Sequence, residues 1–205
     1  MVLSPRFEQA LLYTCMIHSG QVRKASSIPY VAHLLSVAGL ALEYGADEDE
    51  AIAALLHDAV EDAGGKARAA DIRQRFGERV AEIVAGCTDA DTAPKPPWQE
   101  RKRTYIDGLE KAGASVRFVS CCDKLHNARS IVKDLRQHGE RVWHKFQGGR
   151  DGSLWYYTTL CEAYRRLGVC PPLVEELDRT LRDMQQLAQT APPSDQQGGT
   201  NAAAR

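Results

Sequence analysis

The sequence predicts an all-α fold, a helical bundle with a charged site held between its helices. Three observations carry that expectation. Nearly every segment with periodic apolar residues repeats at three- and four-residue spacing, the period of one helix face. No convincing run alternates apolar and polar residues as a half-buried strand does. Helix-start signals are present: Ser4 before Pro5, and Asp47 three residues ahead of Glu50.

The elements follow in order. Residues 4–18 read as a helix capped by Ser4, with Phe7, Leu11, Leu12 and Cys15 on its apolar face and His18 at its end. Residues 19–29 form a loop whose only charges are Arg23 and Lys24. A second helix runs from about Pro29 to Tyr44, with Tyr30, His33, Leu34, Val37, Ala38 and Leu40 on its apolar side, and ends before Gly45. Asp47 caps a third helix that includes AIAALLHDAVED, residues 51–62. Gly64 and Gly65 break the chain. A short helix (DIRQRF) follows, then another with Val80, Ile83 and Val84.

Residues 88–98 make a Pro-rich loop too long for an idle connector. The next helix (ERKRTYIDGLEKA) carries Arg101, Lys102 and Arg103 at its start, close after Lys95. Cations there oppose the helix dipole, so an anionic partner is one reading and a solvated basic turn the other. Residues 115–136 form a long amphipathic helix with Asp123 against its apolar stripe and Asn127 four residues on. Lys124, about 100° around the helix, is expected to point elsewhere. Helical segments continue from residue 139 to 190, and the polar, Pro/Gly-rich tail 191–205 is expected to be disordered. Residues 1–190 thus read as one domain.

Composition narrows the classes. Of 205 residues 26% are charged and the formal net charge is −1, which argues against a nucleic-acid binder driven by bulk positive charge. No apolar run is long enough for a membrane span, and the start shows no secretory pattern. The six cysteines form no CxxC pair and read as reduced thiols of a cytoplasmic protein.

The chemistry concentrates at residues 57–62. On this helix, residues four apart share a face, which pairs His57 with Glu61 and Asp58 with Asp62. So much charge against a Leu/Ala face is costly unless compensated, and a divalent cation compensates it most simply. His33, His57, Asp58 and Asp123, from three helices, make a set of two nitrogens and two oxygens. Such a set leaves positions open for water and substrate, the catalytic pattern, and suits one ion of Mn, Fe or Zn. His18 and His126 read as structural residues. The pair Arg23-Lys24 is plain surface, or else a grip on phosphate or base.

A family resemblance rests on motifs that occur in order: R-K ahead of P-Y-x-x-H (Arg23, Lys24; Pro29, Tyr30, His33), H-D-x-V-E-D (His57–Asp62), F-G-x-x-V (Phe76–Val80), P-K before E-R-K-R (Lys95; Glu100–Arg103) and D-K-L-H-N (Asp123–Asn127). The set resembles the hydrolase domain of the RelA/SpoT family, within the HD-domain phosphohydrolases. It resembles in particular the stand-alone small alarmone hydrolases, metazoan SpoT homologues among them. The resemblance covers about residues 6–165.

It implies an HD-domain helical bundle that removes the 3′-pyrophosphate of guanosine tetra- or pentaphosphate with one Mn(II). It implies His33, His57, Asp58 and Asp123 as metal ligands and Glu61 and Asp62 as the catalytic acidic pair. By the same carry-over, Arg23 and Lys24 contact the base, Asn127 the ribose, Lys95 and Arg101 the phosphates, and Tyr157 the nucleotide. A chain of this length leaves no room for a synthetase domain, so an alarmone synthetase would be a functional partner only. Leu34 stands in place of a usual proline, Cys122 and Ala128 in place of Ala and Leu, and Ala25-Ser26-Ser27 is less polar than usual. None of these removes a ligand. Adenosine alarmones, the 2′-phosphate of NADPH, a deoxynucleotide substrate and a non-catalytic nucleotide-binding module stand as alternatives.

Overall fold

The computed structural model describes residues 2–24, 26–88 and 96–190. Ala25, Lys95 with most of its Pro-rich loop, and the tail 191–205 lie outside the described residues. The helices are α1 (Pro5–Ile17), α2 (Val31–Glu43), α3 (Glu48–Leu56), α4 (Ala59–Asp62), α5 (Gly65–Phe76), α6 (Glu78–Cys87), α7 (Trp98–Lys111), α8 (Ala114–His138), α9 (Gly149–Arg166) and α10 (Pro171–Thr190), with a 3₁₀ helix at Gly139–Lys145. Among the described residues extended pairing is limited to one isolated bridge, Val22 with Pro29.

The longest helix, α8, is the strut on which the others assemble. Its 25 residues pack against α10, α2, α6, α3 and α9. At about 1.5 Å per residue it spans roughly 38 Å, the width of a small domain. Leu34, Ile52, Leu55, Leu56, Leu125, Leu160, Leu173, Leu177 and Met184 are fully buried around it. Removing that apolar surface from water is the main drive to fold. The Asp47–Glu50 capping box forms in both directions, at 3.0 Å each.

Three local expectations are corrected. The buried face of α1 is Phe7, Ala10, Tyr13 and Thr14, while Leu12 is 73% exposed and Cys15 faces solvent. Packing on α3 and α5 decides this, because polar-tipped residues find partners there: Tyr13 Oη donates to Asp71 of α5 and Thr14 Oγ1 to the Leu55 carbonyl of α3. The segment after Gly64 is longer than read. Gly64 and Gly65 turn the chain at φ +130° and +54°, a region closed to most side chains, and α5 starts at once.

The third correction bears on function. Residues 51–62 are not one helix: α3 stops at Leu56 and α4 restarts at Ala59. Asp58 sits between them at φ −98°, ψ −2°, the sparsely used bridge region where active-site residues often lie. Consecutive side chains on a regular helix diverge by about 100°. The break lets His57 and Asp58 converge instead.

Trp98 anchors the start of α7. A Cβ on Gly148 would lie 2.6 Å from Trp98 Cη2, so glycine alone lets the indole seat there. The ring also meets Trp155 and Tyr156 edge-on, at 6.3 and 6.2 Å between centroids.

Candidate active site

The four predicted donors converge. His33 comes from the first turn of α2, His57 and Asp58 from the α3–α4 break, and Asp123 from the middle of α8. His57 Nε2 lies 3.0 Å from Asp58 Oδ2 and 3.5 Å from Asp123 Oδ1. His33 Nε2 lies 3.2 Å from Asp123 Oδ1 and 3.5 Å from Asp58 Oδ2. Two ligands held about 2.1 Å from one cation are roughly 3.0 Å apart at a right angle and 3.4 Å apart at a tetrahedral one. The observed spacings match. His33, His57 and Asp58 alone place three donor atoms within 4.8 Å of one another, a group able to hold a divalent ion.

The proton positions support the same use. His57 Nδ1 donates to the Ala54 carbonyl at 2.8 Å, which leaves Nε2 as a lone pair, buried and without a hydrogen-bond partner. It faces carboxylate oxygens, also acceptors, and that contact is stable only with a cation or an added proton between them. Burial works against a charge on His57, yet Asp58 and then Asp123 outweigh it and lift its pKa well above the ordinary range. His33 Nδ1 meets His126 Nδ1 at 2.7 Å. Burial, His33 and Arg23 hold His126 down to about 4, so it is neutral and accepts the His33 proton. Both ring orientations are thus fixed from behind, as metal-binding histidines require.

Each carboxylate has its own support. Tyr30 Oη donates to Asp58 Oδ2 at 2.5 Å. Asp123 Oδ1 accepts from Asn127 Nδ2 at 2.6 Å, and Asn127 Oδ1 accepts from Arg23 Nη2 at 2.9 Å. Contrary to expectation, Lys124 does not point away: its Nζ lies 2.5 Å from Asp123 Oδ2. The 100° rule fixes where Cβ points, whereas four methylenes carry Nζ back to the carboxylate. Burial opposes charge in both partners, but Asp123 holds Lys124 well above its usual range, and Lys124 with both imidazoles holds Asp123 well below its own. Tyr30, Lys124 and His126 are the site residues that sequence reasoning passed over. For Lys124 and His126 the signal was closeness to Asp123 within one motif; Tyr30 carried none toward Asp58.

The acidic pair stands on α4. Glu61 is partly buried, while Asp62 is exposed, with its amide donating to the Asp58 carbonyl at 2.9 Å. The pairing of Asp58 with Asp62 survives there through the backbone, and the Asp62 side chain turns to Gln21, whose Nε2 donates to Oδ2 at 2.8 Å. Partial withdrawal from water, then the charges of Asp58 and Glu61, push the Asp62 carboxyl up against the pull of that hydrogen bond.

A cleft of about 840 Å³ opens beside the donors, with Tyr30, His33 and Asn127 in its wall. Five Lys and Arg side chains line it (Arg23, Lys24, Arg129, Lys133, Lys145) against one carboxylate, Asp134. Arg101 and Tyr157 are not in that wall. Arg101 Nε reaches the Pro96 carbonyl at 3.3 Å, and Tyr157 is 6% exposed on α9.

The profile of the HD domain family matches residues 10–154. The chain is 34% identical over 131 residues to the Drosophila melanogaster guanosine-3′,5′-bis(diphosphate) 3′-pyrophosphohydrolase MESH1, covering 62% of this chain and 70% of that protein. It is 33% identical over 132 residues to the Escherichia coli bifunctional (p)ppGpp synthase/hydrolase SpoT, of which it spans 18%. A solved metazoan SpoT orthologue, described as hydrolysing ppGpp, superposes with a TM-score of 0.75 at 29% identity, over 92% of this chain and 99% of that one. The chain belongs to the HD domain family, in the branch that holds the MESH1 hydrolases.

Proposed function

We propose that this hydrolase removes the 3′-pyrophosphate of guanosine tetra- and pentaphosphate, leaving GDP or GTP and pyrophosphate. The observation that carries the reading is a three-donor group, His33, His57 and Asp58, with Asp123 against both imidazoles, opening at His33 into a cleft rich in cations. The activities named for MESH1 and the SpoT orthologue point the same way.

In this reading His33, His57, Asp58 and Asp123 hold one Mn(II), with Fe or Zn also suited to the mixed donors. When bound, the cation would acidify a water molecule and offset phosphate charge. Glu61 takes the proton of the attacking water, and Asp62, second of the pair, orients that water. Arg23 and Lys24 hold the base, Asn127 the ribose, and Lys95 and Arg101 the phosphates, with Tyr157 beside the nucleotide. Water attacks the phosphorus next to the ribose, the bond to the ribose 3′-oxygen breaks and that oxygen takes up a proton, while positive charge in the cleft offsets the charge on the 3′-diphosphate. Residues 1–190 act as the catalytic domain. Six free cysteines support a cytoplasmic setting, where an alarmone synthetase would supply the substrate.

The test is a parallel panel of guanosine tetraphosphate, adenosine tetraphosphate and NADPH with added Mn(II). Pyrophosphate release from the guanosine compound is the expected result. Phosphate release from NADPH alone would move the assignment to the 2′-phosphatase. No turnover with any metal would leave a nucleotide-binding module.

A further inference from the structure

Gln21 has no role in the mechanism above, yet its side chain joins two groups beside the site. Its amide nitrogen donates to Asp62 Oδ2 at 2.8 Å, and its carbonyl oxygen lies 2.6 Å from His18 Nδ1. His18 is 3% exposed, with its ring 5.6 Å from the ring of Tyr30. The surrounding loop is held by its backbone: Gln21 N–H to the His18 carbonyl at 3.1 Å, Tyr30 N–H to the Gln21 carbonyl at 2.9 Å, and Arg23 N–H to the Ile28 carbonyl at 2.9 Å. The Gln21 side chain is therefore not needed to shape the loop.

A carboxamide has one donor end and one acceptor end. With the His18 proton on Nδ1, the Gln21 oxygen is engaged and the amino end faces Asp62. Asp62 needs such help. Its helix is one turn long, four residues from Ala59 to Asp62, and two glycines follow closely. A carboxylate on so short an element has little to fix its rotamer.

We propose that Gln21, oriented by His18, is a positioning residue that aims the Asp62 carboxylate: Oδ2 is tethered and Oδ1 is left for the site. The inference rests on the proposed role of the acidic pair. It is tested with Gln21→Met, which keeps the side-chain length and removes both hydrogen bonds, with Asp62→Asn, and with the double variant. Gln21→Met should lower kcat about tenfold or more, the low end for a hydrogen bond to a charged group. KM and the Mn(II) dissociation constant from EPR titration should stay within about twofold, since neither ligand nor cleft is touched. In the Asp62→Asn background the second substitution should add nothing. Nitrogen NMR of the unaltered protein at neutral pH should find the His18 proton on Nδ1.

A normal kcat for Gln21→Met beside an inactive Asp62→Asn would overturn the positioning role and leave the hydrolase reading intact. Losses that multiply in the double variant, or a proton on His18 Nε2, would overturn it as well. Full turnover by Asp62→Asn would remove Asp62 from the mechanism, and this inference with it.

Discussion

Lys124→Met removes a buried charge while keeping the reach of the side chain. Lys124 Nζ sits 2.5 Å from Asp123 Oδ2, with the two side chains 14% and 8% exposed, and 4.9 Å from the centre of the Tyr105 ring. Removing one partner of a buried ion pair costs roughly 3–5 kcal/mol, because the other is left charged in a poor solvent. Asp123 keeps Asn127 at 2.6 Å and both imidazoles, so the low end, about 3 kcal/mol, applies. In a chain of this size each kcal/mol moves Tm by roughly 2–4 °C, so the midpoint should drop by about 6–12 °C. The assay is thermal unfolding by circular dichroism, in EDTA and again with excess Mn(II). A cation beside Asp123 supplies the positive charge the variant lacks, so Mn(II) should raise its Tm more than that of the parent. A drop in EDTA of less than about 2 °C, or equal drops with and without metal, would refute the reasoning.

Other outcomes follow from the same geometry. Glu61→Gln should keep Mn(II) and lose about 100-fold or more in kcat, the usual effect of removing a general base; near-normal turnover would contradict the role. Asp123→Ala should purify without metal, and full occupancy by elemental analysis would contradict the ligand set. Gly148→Ala places a Cβ 2.6 Å from Trp98 Cη2 and should cost about 1–3 kcal/mol as the indole is displaced; an unchanged Tm would show that Trp98 does not depend on that close approach. Asp47→Ala removes a cap and should lower Tm by roughly 2–4 °C, for about 1 kcal/mol, with activity unchanged. Partial burial raises the Asp47 carboxyl, but Arg79 and the Glu50 amide overcome it and hold the pKa below the usual range. Its contribution is therefore present above the unfolded carboxyl range and lost as pH falls through the folded one, so the parent and variant melting curves should converge in acid.

The candidate site was legible in unequal parts. His33, His57, Asp58 and Asp123 could be named because imidazole and carboxylate on apolar helix faces are costly without a partner, and that cost is visible in a string of letters. The support behind them could not. Tyr30 reads as an apolar-face residue, and nothing near it in the chain announces the Asp58 oxygen 2.5 Å from its hydroxyl. Lys124 was misplaced because helical periodicity fixes the direction of a Cβ but not the end of a long flexible side chain. Leu12 was misplaced on α1 because the period tolerates more than one apolar stripe, and the fit against α3 chose between them.

By itself the sequence determined the helices, most of their ends and the inventory of candidate metal donors, since these depend on capping, period and residue chemistry within a turn or two. The tertiary structure decided the break at residues 57–58, the pairing of Lys124 with Asp123 and the tether from Gln21 to Asp62. Those features depend on where separate helices come to rest, and small changes in packing move a side-chain tip further than the length of a hydrogen bond.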